Sequence, residues 1–79
     1  MTIAIKDNLQ RTADLFRLGQ EATASVELRL LLDQIEKNHS KLIQSDEFNK
    51  LLPLMLIAQE QHDWLGLADY LEYELMALV

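Results

Sequence analysis

"GQEATAS", residues 19–25, decides what the front half of this chain is. Upstream of it, Leu9 and Phe16 begin a seven-residue recurrence that continues through Thr23 to Leu30, with Ala13, Gly19 and Val26 interleaved. That spacing makes a helix–helix seam, thinned by Thr23 and Gly19. Beyond Ser25 the apolar residues shift to Leu28, Leu31, Leu32 and Ile35, which lie on a different side of a straight helix. Two readings fit: one helix from Asp7 to about Asn38 that touches different neighbours along its length, or a break within GQEATAS. Gly19 costs about 1 kcal/mol in a helix interior relative to Ala. No proline enforces a stop, and Arg17–Glu21, Arg29–Asp33 and Asp33–Lys37 all have the i,i+4 spacing that supports a continuous helix. The balance favours the single long helix. Asp7-Asn8-Leu9-Gln10 has the form of a capping box at its start, and Asn38-His39-Ser40 marks its end.

Working outward, residues 46–61 carry a second helix. Ser45 is a good N-cap, and Asp46 and Glu47 complement the dipole in the first turn. Phe48, Leu51, Leu52, Met55 and Ala58 share one face, but Leu54, Leu56 and Ile57 point elsewhere. A helix that is apolar nearly all round is a buried helix. Pro53 predicts a kink or a restart within it.

Asp63 caps the last helix, expected over residues 63–78 after a tight turn at Gln61-His62. Trp64, Leu67, Ala68, Leu71, Leu75 and Leu78 form its inward stripe. Gly66, Tyr70, Tyr73 and Ala77 collect on the opposite side, two tyrosines between two small residues, with Asp69 at one edge. Small residues let another helix approach, and tyrosines bury their rings while keeping their hydroxyls paired or wet. Gly66, Asp69, Tyr70, Tyr73 and Ala77 are therefore the candidate partner-binding residues.

The fold class that follows is all-α: a long N-terminal helix with a C-terminal helical hairpin against it, in one domain spanning residues 1–79. "TIAI", residues 2–5, alternates like a strand but is too short to make a sheet. A core this small rarely supplies more than about 3–5 kcal/mol. Three helices cannot enclose the middle one on all sides, so a homodimeric six-helix bundle is expected.

Seven bases and thirteen acids give a net charge of −6, and every base lies in the first 50 residues. From Leu51 onward there are five acids and no base. Such a surface repels phosphate backbones and anionic lipid, so neither nucleic acid nor membrane is an expected partner. The longest apolar run, "LLPLMLIA" at residues 51–58, is far short of the roughly 20 residues that span a bilayer. The chain has no cysteine for a disulfide or a thiolate metal site, and "MTIAIKDNLQ" lacks the form of a signal peptide. A cytoplasmic location is the expectation.

Little here carries chemistry. Glu36-Lys37-Asn38-His39 holds the Glu-x-x-His spacing of carboxylate-bridged metal bundles, which Glu72 or Glu74 would have to complete. A single such motif, with its His at a helix end, is better read as a dipole-compatible terminus. His62 belongs to turn chemistry. Ser25, Ser40 and Ser45 have no base at suggestive spacing, and Gly19 and Gly66 stand alone rather than in a phosphate loop. No catalytic residue, cofactor or metal is expected, and the chain does not read as an enzyme.

"DWLGLADYLEYEL", residues 63–75, resembles the C-terminal segment of a family of short, uncharacterised helical proteins from Gram-positive bacteria. The matching residues are Asp63, Trp64, Leu67, Ala68, Asp69, Leu71, Glu72, Tyr73, Glu74 and Leu75. Where family chains often continue with proline, this one has Met76. The resemblance implies an all-helical bacterial protein and no activity. The functional expectation is a non-enzymatic interaction module, a dimeric adaptor or small regulator. The alternative is a small export or assembly chaperone that holds an amphipathic helix of a client, and a carboxylate-bridged metal enzyme is the remote one.

Overall fold

A computed structural model describes residues 5–79, and within them every regular element is helical. Of the "TIAI" stretch, Ile5 belongs to the first helix and the rest lies outside the described residues. The single long helix does not form. α1 spans Ile5–Arg17 and α2 spans Glu21–Asn38. Between them Gly19 sits at φ +77°, a conformation that costs an L side chain about 1–2 kcal/mol and glycine almost nothing. Gln20 N–H donates to the Leu15 carbonyl at 3.0 Å and Gly19 N–H to the Phe16 carbonyl at 3.2 Å. These two bonds make a complete Schellman stop, which satisfies the carbonyls that the end of α1 would otherwise leave unpaired.

The break undoes the sequence reading along the seam and at Arg17. Leu9, Ala13 and Phe16 are buried as expected, but Thr23, Val26 and Leu30 are exposed, because the seam ends at Gly19. On α2 the inward side is Ala24, Leu28, Leu31 and Ile35. Arg17 pairs with the C-terminal helix instead of Glu21. Nor does Asp7 cap: α1 begins at Ile5, Asp7 lies inside its first turn, and the Gln10 amide reaches Asp14 and Glu72.

α2 ends at Asn38 as the sequence indicates, and a single turn, α3 (Ser40–Ile43), follows. Ser45 caps α4 (Asp46–Glu60), its hydroxyl accepting from Phe48 N–H at 3.2 Å and donating to the Leu42 carbonyl at 2.7 Å. α4 runs through Pro53 without a restart. It ends in a second Schellman stop: Asp63 N–H donates to the Ala58 carbonyl at 2.8 Å and His62 N–H to the Gln59 carbonyl at 3.2 Å. Here the left-handed position is occupied by His62, at φ +58°. Its ring stacks on Trp64 at 5.2 Å, an attraction that offsets part of the backbone cost.

Asp63 caps the C-terminal helix, its carboxylate accepting from Gly66 N–H at 3.1 Å. That helix has three parts: α5 (Trp64–Asp69), a π-helical segment (Tyr70–Leu75) and α6 (Met76–Leu78). Met76 N–H reaches back five residues to the Leu71 carbonyl, as a π turn requires. A wider turn rotates the chain less per residue. Leu67, Leu71 and Leu75, each four apart, lie on one buried side of the helix.

α1 packs on α2 and on the C-terminal helix, which in turn packs on α4. The core combines Leu9, Ala13 and Phe16 with Leu28, Leu31 and Ile35, and with Phe48, Leu51, Met55, Leu67, Leu71 and Leu75. Thr12 is buried among them, its hydroxyl donating to the Asn8 carbonyl at 2.7 Å. The folded chain exposes 5191 Å², close to the roughly 4,900 Å² usual for a monomer of this mass. One chain therefore closes most of its own core. The middle helix is not buried all round: Leu54, Leu56 and Ile57 are each about half exposed.

Candidate interaction surface

Arg17, in the last turn of α1, joins that helix to the π-helical segment. Its guanidinium donates to Glu72 through both terminal nitrogens, each at 3.1 Å, and to Asp69 at 3.0 Å, with Asp14 at 3.8 Å. The Gln10 amide adds a bond to Glu72 Oε1 at 2.6 Å. Gln10 first, and Arg17 after it, hold the Glu72 carboxyl down from 4.5 to about 2. The Glu72 carboxylate in turn holds the neighbouring Tyr73 phenol above its ordinary value. Two of the five acids in the base-free half thus share one base from α1, which offsets one of their two charges.

Because the folded Glu72 carboxyl is more acidic than the unfolded one, its charged form stabilises the native state at neutral pH. That contribution is complete above the unfolded value near 4.5 and is lost as pH falls through about 2. The expected result is a melting temperature that falls between pH 4.5 and 2 more steeply in the native chain than in Glu72→Gln. Parallel pH profiles for the two proteins across that window would remove the assignment.

The five candidate partner-binding residues differ in exposure. Tyr70 is half-buried and packs against the core, whereas Tyr73 is 65% exposed. Asp69 is engaged by Arg17, and Ala77 is exposed on the last turn. Gly66 has a local role: a Cβ there would run into the capping carboxylate of Asp63, so the missing side chain makes room for the cap.

A different surface is more extensively apolar. α2 and α4, with α3 at one end, flank a groove in two stretches that share Leu32. One, of about 440 Å³, is lined by Ser25, Leu28, Arg29, Leu32, Asp33 and Gln59, with Val26 and Leu30 at its edge. The other, of about 250 Å³, is lined by Leu32, Glu36, Ile43, Phe48 and Leu52. Leu56 lies between Leu52 and Gln59 at i+4 and i−3 spacing, on the same side of α4. The periodic pattern held the signal: Leu56 was already off the main face, and Val26 and Leu30 lose their neighbours once α1 stops at Gly19.

Glu36 and His39 do not come together. Glu36 lines this groove, and His39 lines a separate cleft with Ser40, Lys41, Ser45 and Val79. Among the described residues no group of three or more His, Cys, Asp or Glu side chains is placed to hold a metal. Also among them, no helix is long and apolar enough to cross a membrane. Glu72, one of the carboxylates that a metal site would have required, is committed to Gln10 and Arg17. Compared with protein families, with curated proteins and with solved structures, the chain finds no match, so its reading rests on its own residues.

Proposed function

We propose that this chain is a non-enzymatic helical interaction module, a small adaptor or regulator that works as a homodimer. The observation that carries the reading is the apolar surface left on α2 and α4, with Val26 60%, Leu30 56% and Leu56 51% exposed beside a groove floored by leucines. Isolated exposed hydrophobics are ordinary on any surface; a contiguous set flanking a groove marks a binding face. Tyr73, with Leu65 and Ala77 also exposed on the C-terminal helix, remains available to a further protein.

A chaperone that holds a client's amphipathic helix is the second reading, and the same groove favours it, since a groove between two helices is a common seat for a third. Light scattering coupled to size exclusion separates the two. The adaptor reading expects a mass of two chains at micromolar concentration. A chain that stays monomeric throughout the micromolar range removes the homodimer.

A further inference from the structure

We propose that the α2–α4 groove is the self-association face: a second copy of this chain covers it, the two α2 helices crossing about a two-fold axis so that Arg29 of each copy meets Asp33 of the other. This rests on the homodimer reading and assigns its surface and its register. Ser25, Arg29, Leu32 and Glu36 recur at helical spacing along the groove side of α2, a length of about 16 Å at 1.5 Å per residue. From α4, Leu52 and Gln59 line it, and Leu56 lies between them at helical spacing.

Area is the first argument for the occupant. Val26, Leu30 and Leu56, with the partly covered Leu32, Ile43 and Leu52, expose on the order of 400 Å² of apolar surface. A stable two-fold interface covers about 800 Å² per partner, of which somewhat more than half is apolar. The groove and its edges supply that share, and a closed dimer would leave little of it wet.

Charge is the second argument. A groove built for a cationic client would be rimmed by acids alone, but this rim carries Arg29 and Asp33 one helical turn apart. Among the described residues neither makes an ion pair, although their spacing on α2 permits one. A plus and a minus separated by one turn are complementary to themselves when a copy is turned about a two-fold axis. Each dimer then gains two equivalent Arg29–Asp33 contacts, and each reversal of one sign creates two repulsions.

The test measures the dimer dissociation constant by sedimentation equilibrium for the full chain and five variants. Arg29→Asp and Asp33→Arg, made singly, are expected to weaken the dimer by about tenfold or more, since juxtaposed like charges disfavour association strongly. Combining both changes restores it. Leu56→Lys yields monomer, and Tyr73→Lys, off the groove, leaves the dimer as it was. Helical circular dichroism on each variant separates loss of association from loss of fold. A dimer indifferent to the single reversals and to Leu56→Lys, but broken by Tyr73→Lys, overturns the groove assignment and leaves the homodimer reading intact. A wild-type chain that is monomeric overturns both.

Discussion

Replacing Phe16 with Ala is expected to cost about 3–5 kcal/mol, the largest single loss available in this fold. Phe16 is 1% exposed and stacks on Trp64 with ring centroids 5.5 Å apart and planes 10° from parallel. It is the last core residue of α1 before the stop, and its partner is the first residue of α5. Removing the ring opens a cavity where α1 meets the C-terminal helix, and it strips the stack that holds Trp64 and His62. For 79 residues the usual stability is about 4–12 kcal/mol, so this change removes between about a quarter and all of it. Urea denaturation followed at 222 nm gives the loss. Trp64 is the only tryptophan, and its emission should shift to longer wavelength in folded variant as the ring loses its cover. A loss below 1 kcal/mol with unchanged emission would contradict the packing described.

Gly19→Ala is expected to destabilise by about 1–2 kcal/mol, because Ala must take the left-handed conformation that glycine takes freely. The sign is what matters. In an unbroken helix the same substitution would stabilise by about 1 kcal/mol, since Ala is the better helix former. No neighbour lies within reach of a Cβ at Gly19, so the cost is purely conformational. Thermal melts of the two proteins decide between a Schellman stop and a continuous helix, and a raised melting temperature would restore the long helix. His62 already bears a comparable strain at the second stop, where the stack on Trp64 gives it a compensating contact.

The helical class was legible from composition and period, and so were the two caps. Ser45 and Asp63 were readable because capping is a contest among a few consecutive residues. The inward stripes were readable too: Phe48, Leu51, Met55 and Ala58 on α4, and Leu67, Ala68, Leu71 and Leu75 on the last helix, are buried. Each depends on local spacing alone. Pairing charges within α1–α2 by i,i+4 spacing failed at Arg17, because two carboxylates on another helix compete for it and win.

By itself, then, the residue order determined where helices form, which side of each is apolar, and that every base lies ahead of Leu51. Tertiary structure alone decided three things. It chose the stop at Gly19 over a continuous helix, because the chain must turn there for both Phe16 and Leu28 to face one core. It widened residues 70–75 into a π turn, within which Glu72 meets Gln10 and Arg17 from α1. And it left Val26, Leu30 and Leu56 exposed beside a groove lined from α2, α3 and α4. These outcomes share a physical reason: each is settled by contacts between residues far apart in the chain, whose energies a local pattern does not contain.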